Sequence, residues 1–102
     1  MPYRVKFTDK LYRSLLAISD YIAAESPQNA DGAADAAVRL IESLEIMPAR
    51  FPRVGKSRKT GSPVHMTTTH SFNIYYEVDS ERELVIILLI QRGTRRMPRR
   101  FG

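Results

Sequence analysis

The feature that most constrains the fold is a run of seven apolar residues, Leu84–Ile90, with charged or polar residues on both sides. A short, continuous apolar run of this kind is typical of a strand that is covered on both faces of its sheet. The twelve residues that follow it, 91–102, contain five arginines and no acidic residue. The sequence therefore predicts a core strand that leads directly into a cluster of guanidinium groups, which bind carboxylates or phosphates.

The composition is that of one globular domain over residues 1–102, with 43% hydrophobic and 26% charged residues. The absence of cysteine excludes a disulfide or a thiolate metal site, and we expect no metal or cofactor. The N-terminus lacks the apolar region of a signal peptide, and no stretch approaches the roughly 20 apolar residues that span a bilayer. We therefore expect a cytoplasmic protein without membrane contact.

The net charge of +5 is unevenly distributed along the chain. Residues 1–47 contain five Lys/Arg and seven Asp/Glu, whereas residues 48–102 contain eleven and four. The second part thus has the whole basic excess, and a binding surface for an anionic partner is expected there.

The first half predicts a strand followed by two helices. Alternation of charged and apolar residues over Tyr3–Phe7 indicates a half-buried strand. An apolar stripe then predicts a helix from about Asp9 to Ala24. Ser26 and Pro27 suit the N-cap and first position of a second helix, whose apolar stripe runs from Ala30 to Met47 and which Pro48 ends.

The second half predicts a long loop and three strands. Residues 48–63 have no periodicity and five cationic residues, so they are expected to form a basic loop that is functional or mobile. Strands follow over Val64–Thr69, Phe72–Val78 and Leu84–Ile90. The order β-α-α-β-β-β predicts an α+β domain with a helical hairpin packed on an antiparallel sheet.

The periodicity also assigns individual side chains. Tyr76 shares the alternation of Phe72 and Ile74, which places it in the core, and Tyr75 is then expected on the surface of the other face. His65 is expected to face solvent from a strand, and His70 to lie in a turn.

This pattern resembles the RelE/ParE superfamily of toxins from bacterial type II toxin–antitoxin pairs over nearly the whole chain. The resemblance depends on six short segments in order: residues 3–8, 20–23, 26–30, 44–48, 75–79 and 86–95. The Asp20-Tyr21-Ile22-Ala23 and Ser26-Pro27 segments are more similar to the ParE branch than to the RelE branch. Two positions differ from ParE-like chains, which commonly have a histidine at Arg92 and an arginine within Val64–Met66.

The resemblance implies three alternative functions. ParE-like proteins poison DNA gyrase and are not known as enzymes, so the leading expectation is a gyrase-inhibiting toxin that is neutralised by a cognate antitoxin in a hetero-oligomer. RelE-like proteins are ribosome-dependent mRNA interferases, which is the second alternative. The departures at His65 and Arg92 motivate a third, a non-toxic interaction module with the same fold.

The candidate site residues follow from these alternatives. An antitoxin or gyrase surface would use the residues of the arginine-rich segment: Arg92, Arg95, Arg96, Met97, Arg99, Arg100 and Phe101. The segment could instead be solvated charge, and Met97 and Phe101 could fold back onto the sheet. A nuclease would use Lys56, Lys59, His65, Arg92 and Arg95, although Phe101 stands where the RelE branch has a tyrosine. No DNA-binding motif is present, so nucleic acid contact is expected only through the antitoxin or the target.

Overall fold

The computed structural model describes residues 2–25, 27–30, 32–69, 72–93 and 96–101. Its elements in chain order are β1 (Arg4–Lys6), α1 (Asp9–Glu25), α2 (Pro27–Ala30), α3 (Ala33–Ser43), a 3-10 turn (Pro48–Arg50), β2 (Arg53–Lys56), β3 (Pro63–Thr69), β4 (Phe72–Asp79) and β5 (Leu84–Arg92). The predicted α+β class, with helices packed on a largely antiparallel sheet, is confirmed.

The five strands form one sheet in the order β1-β5-β4-β3-β2. The two pairs of predicted strands, β3–β4 and β4–β5, are antiparallel as expected. The β2–β3 pair is also antiparallel, whereas β1 runs parallel to β5. The parallel pairing is possible because three helices and three strands separate β1 from β5 in the chain. β1 pairs only with Leu84–Ile86 of the nine-residue β5, so most of β5 extends beyond its neighbour.

The predicted second helix is divided in two. Gly32 has φ 79°, a left-handed conformation that an L-residue with a side chain adopts only at a cost, and α3 begins immediately after it. The predicted N-cap, Ser26, lies outside the described residues.

Within the described ranges, no helix combines the length and apolar character needed to cross a membrane.

The end of α3 also comes earlier than predicted, at Ser43 rather than Met47. The guanidinium group of Arg50 donates hydrogen bonds to the Ser43 hydroxyl (2.8 Å) and to the carbonyl oxygens of Ile46 and Met47. Cationic donors at a helix C-terminus satisfy carbonyl groups that have no intrahelical partner. Arg50 therefore stabilises the turn in which the chain leaves α3.

The prediction that residues 48–63 form only a loop is wrong, because they contain the 3-10 turn and strand β2. A bulge inserts Val54 between Arg53, which pairs with His65, and Gly55, which pairs with Val64. The extra residue breaks the two-residue period over a strand of only four residues. The sequence pattern therefore contained no alternation from which β2 could be recognised.

The main core lies between the helices and one face of the sheet, the helix face. It contains Leu15, Ala37, Ile41 and Leu44 from the helical layer, together with Phe72, Ile74, Tyr76, Val78, Val85, Ile87 and Ile90 from β4 and β5. A bulge at Leu88 lets both Ile87 and Ile90 reach this face. Tyr76 is fully buried, as predicted, and donates a hydrogen bond to the Pro48 carbonyl. Burial raises the pKa of Tyr76 to about 12, and the charge of Arg50 only partly offsets the effect.

The second face of the sheet has a smaller core of Val64, Tyr75 and Phe101, with Val54, Met66, Leu88 and Leu89 packed around it. The prediction of a surface position for Tyr75 is wrong, since its exposed fraction is 0%. Its ring packs against Phe101, with the ring centroids 5.5 Å apart. Burial accordingly raises the pKa of the Tyr75 hydroxyl. The apolar run in β5 is therefore covered on both faces, but on the second face the cover comes from the C-terminal segment.

Candidate functional site

The C-terminal segment, residues 96–101, is attached to the sheet beside β2. Phe101 forms a parallel bridge with Ser57, and its carbonyl oxygen accepts a hydrogen bond from the Arg58 N–H at 2.9 Å. The ring of Phe101 is 7% exposed, whereas the side chain of Met97 is 50% exposed. Of the two apolar residues expected to fold back or be covered by a partner, the structure folds back Phe101 and leaves Met97 outside.

Gly55 provides the space in which the Phe101 ring packs. A Cβ atom placed on Gly55 would lie 3.0 Å from Cε2 and 3.1 Å from Cδ2 of Phe101. Such separations are below ordinary van der Waals contact. The glycine in β2 therefore fixes where the C-terminal segment meets the sheet.

This attachment forms a groove of about 470 Å³ between the 54–58 segment and the C-terminal segment. We call it the basic groove; it is lined by Val54, Gly55, Lys56, Arg58, Met97, Pro98, Arg99, Arg100 and Phe101. Its four cationic residues come from two segments about 40 residues apart in the chain, and none of its lining residues is acidic. The fold thus joins the predicted basic loop to the arginine-rich segment.

The cationic groups of the basic groove are not neutralised by any carboxylate that the structure describes. Within the described ranges, the single ion pair is between Arg82 and Asp79, 3.6 Å apart in the β4–β5 connection. Lys56, Arg58, Arg99 and Arg100 therefore form no ion pair with the described carboxylates. Lys59, which follows the 54–58 segment, and Arg96, in the C-terminal segment, are also exposed and add to the positive charge. The groove can bind an external anion without first breaking internal pairs.

A buried carboxylate holds the loop that positions Lys56 and Arg58. Glu77 of β4 is only 3% exposed, and its Oε2 accepts a hydrogen bond of 2.7 Å from the Thr60 hydroxyl. The loop closes on itself through Gly61, whose N–H donates to the Ser57 carbonyl at 2.8 Å. Sequence reasoning missed Glu77, because a lone acid in an alternating strand indicates only a solvent-facing position.

His65 lies away from the basic groove, and its predicted exposure is wrong. It is 7% exposed, stacks on Tyr76 with ring centroids 5.6 Å apart, and has its Nδ1 2.7 Å from the Phe51 carbonyl oxygen. Register explains the position, since His65 pairs with Tyr76 and shares its face, while Phe51 covers it after the 3-10 turn. The structure therefore does not bring His65 together with Lys56 and Lys59.

Arg92 belongs to a different part of the surface. Its guanidinium carbon lies 4.3 Å from the centre of the Tyr21 ring of α1, in the range of a cation–π contact. Two segments that carry the resemblance, one in α1 and one at the end of β5, thus meet in this contact. Arg95 and His70 lie outside the described residues.

Comparisons with known proteins agree with this architecture. The family model described as ParE toxin of type II toxin–antitoxin system, parDE, matches residues 5–97. A chain of the archaeal RelE-RelB complex from Pyrococcus horikoshii OT3 matches with a TM-score of 0.65 and 16% identity, covering 94% of this chain and 100% of that chain. This likeness shows a shared fold. A search of curated proteins found no match.

Proposed function

The chain belongs to the family of ParE toxins of type II toxin–antitoxin systems, and on this premise we propose that it binds DNA gyrase and stalls it on cleaved DNA. The basic groove contributes the target surface, and the protein performs no covalent chemistry of its own. The observation that supports this mechanism most directly is the set of four cations in the groove that have no internal carboxylate partner among the described residues.

The groove is suited to binding because its two walls are held in place before a partner arrives. The Thr60–Glu77 hydrogen bond holds one wall, and the Phe101 ring against Gly55 holds the other. A preorganised surface loses less conformational entropy on association than a flexible one. Planar guanidinium groups then form charge-assisted, two-pronged hydrogen bonds to carboxylates or phosphates.

The nuclease alternative gains less support from the geometry. The groove has cationic residues, but His65 lies on the helix face and its Nδ1 is at hydrogen-bond distance from Phe51. Phe101, at the position of the RelE-branch tyrosine, has no hydroxyl and is buried. A general acid or base would therefore have to come from another residue.

We further propose that a cognate antitoxin neutralises the protein in a hetero-oligomer. The family description names a toxin–antitoxin pair, and the matched solved structure is a complex between such partners. The antitoxin is expected to be partly disordered when free and to fold on the toxin, with acidic residues on the basic groove and apolar residues on Met97.

One pair of assays tests the mechanism. Purified protein is incubated with gyrase and supercoiled plasmid, and in parallel with translating ribosomes and labelled message. We expect the unmodified protein to trap cleaved plasmid. The amount of cleaved plasmid should be at least tenfold lower with the variant Arg58→Ala/Arg99→Ala. The variant Arg82→Ala is the control, because Arg82 is exposed and lies in the β4–β5 connection. Message cut at the ribosomal A site would support the second alternative, and normal growth on induction without antitoxin would support the third.

A further inference from the structure

Helix α1 carries three large apolar side chains that stay exposed. Tyr12 is 47% exposed, Leu16 is 40% exposed and Tyr21 is 49% exposed. Tyr12 and Leu16 are four residues apart, so they lie next to each other on the helix surface. Neighbouring apolar side chains on the surface of a protein mark sites of association.

Two residues of opposite charge accompany these side chains on the solvent side of α1. The spacing i, i+3, i+4 and i+7 places four exposed residues on one face of the helix: Arg13, Leu16, Ala17 and Asp20. Within the described ranges, neither Arg13 nor Asp20 belongs to an ion pair. They are about 10 Å apart along the helix, well beyond the spacing at which side chains of one helix pair. Together with the two tyrosines, these four residues form what we call the α1 face.

The order of residues along the α1 face is self-complementary. The point midway between Leu16 and Ala17 is equally far, in residues, from Arg13 and from Asp20. A two-fold axis through this point makes a second copy of α1 run antiparallel to the first. It places Arg13 of each copy opposite Asp20 of the other. The same axis also places the two half-exposed tyrosines of the helix opposite each other.

We propose that the α1 face is an interface between two copies of this chain, which pair through antiparallel α1 helices in a two-fold symmetric dimer. Two identical ion pairs between Arg13 and Asp20 fix the register. Leu16 packs on Ala17 of the second copy, where the small side chain lets the helices approach closely. The inference goes beyond the proposed function and does not depend on it.

The aromatic side chains of the α1 face are positioned before a second copy arrives. The Tyr12 ring packs edge-to-face on Phe7, with the ring centroids 6.1 Å apart, and the Tyr21 ring lies under the guanidinium group of Arg92. Side chains that are already ordered lose less entropy on association. Each copy contributes one helix of 17 residues, so the interface is small and a Kd of the order of 10 μM is expected.

The dimer leaves the basic groove of each copy accessible. The α1 face belongs to the helical layer, which covers the helix face of the sheet. The basic groove contains Val54 and Phe101, which belong to the core on the second face. The two surfaces therefore lie on opposite sides of the sheet.

Sedimentation velocity of the purified full chain at about 1–200 μM tests the proposal, because this range spans the expected Kd. The unmodified protein is expected to change from monomer to dimer as its concentration rises. The variants Arg13→Asp and Asp20→Arg each bring like charges together at both ion pairs, and each should weaken the dimer at least tenfold. The matched control Arg39→Asp reverses the same charge at an exposed position of α3 and should dimerise normally.

A mixture of Arg13→Asp with Asp20→Arg tests the register itself. In a heterodimer of these variants, each ion pair again joins one carboxylate to one guanidinium group. The mixture is therefore expected to form dimers at concentrations at which each variant alone is a monomer. Both positions are exposed, so the helix content measured by circular dichroism should stay that of the unmodified protein.

Three results would each overturn the proposal. The first is a protein that stays monomeric over the whole concentration range, which is also the result if only an antitoxin covers the α1 face. The second is a dimer that Arg13→Asp does not weaken, which would place the interface elsewhere. The third is a mixture of the two variants that stays monomeric, which would mean that Arg13 does not face Asp20. The gyrase and ribosome assays do not enter this test, so the proposed function can fail or succeed separately.

Discussion

At the scale of single residues, the contact between Gly55 and Phe101 determines how the basic groove is assembled. Neither residue carries charge, yet together they place Arg99 and Arg100 opposite Lys56 and Arg58. The contact depends on a steric requirement: the ring of Phe101 occupies the volume that a Cβ atom on residue 55 would need.

The variant Gly55→Ala is expected to destabilise the protein by about 1–3 kcal/mol, because its methyl group overlaps the Phe101 ring. The free energy of unfolding in urea measures the effect. In a Phe101→Ala background the same substitution should cost much less, so a double-mutant cycle isolates the contact. Equal costs in both backgrounds would show that the ring does not pack on Gly55.

Stability at alkaline pH depends on Tyr76. Its pKa is about 12 in the folded protein, against about 10 for an ordinary tyrosine. Because the folded value is the higher one, the stability from the neutral hydroxyl is fully present below pH 10 and is lost as the pH rises toward 12. Urea unfolding at several pH values from 8 to 11.5 should show this loss. The variant Tyr76→Phe should have a shallower decline above pH 10, and an identical decline would contradict the assignment.

At the scale of secondary-structure elements, the sequence interpretation and the structure differ in the position of Gly32, which was predicted inside a helix and lies between two helices. If Gly32 lay inside one continuous helix, its replacement by alanine should raise the free energy of unfolding by about 1 kcal/mol. In the structure Gly32 has φ 79° and separates α2 from α3. A substitution that is favourable in the first arrangement is unfavourable in the second.

We therefore expect Gly32→Ala to destabilise the protein by about 1–2 kcal/mol, measured as a decrease in Tm. Gln28→Ala, at an exposed position of α2, should change stability by less than about 0.5 kcal/mol. An increase in Tm for Gly32→Ala would indicate one continuous helix.

The elements that sequence reasoning identified are those with a long, regular pattern. The apolar stripe of α1 and the alternation of β4 gave their boundaries to within a residue or two. β2 could not be identified because Val54 is a bulge in a four-residue strand, and the bulge at Leu88 is hidden within a uniformly apolar run. Tyr75 and His65 were misplaced because their burial comes from Phe101 and Phe51, which are distant in the chain.

At the scale of the whole molecule, the charge distribution defines two sides. The C-terminal segment, residues 96–101, and the 54–58 segment form a cationic surface, while most of the described acidic residues of the first half lie on α1 and α3. The location of the basic surface was predictable from composition, but the pairing of its two segments was not, since it depends on Phe101 returning to β2.

The triple variant Arg96→Ala/Arg99→Ala/Arg100→Ala is expected to weaken gyrase poisoning or antitoxin affinity at least tenfold, with a smaller dependence of binding on salt. The matched control replaces Arg13, Arg39 and Arg82, which are exposed outside the basic groove, and so removes the same net charge. Equal effects of the two triple variants would mean that overall charge, rather than the groove, determines binding.

The parallel pairing of β1 with β5 has a consequence for biosynthesis. Val5 pairs with Val85, so 80 residues must be added to the nascent chain before the first strand meets its neighbour. At translation rates of about 5–20 residues per second, that interval is roughly 4–16 s. During it, the N-terminal strand lacks β5, the neighbour with which it pairs in the described sheet, and a chaperone or the antitoxin can reach the growing polypeptide before the sheet is complete.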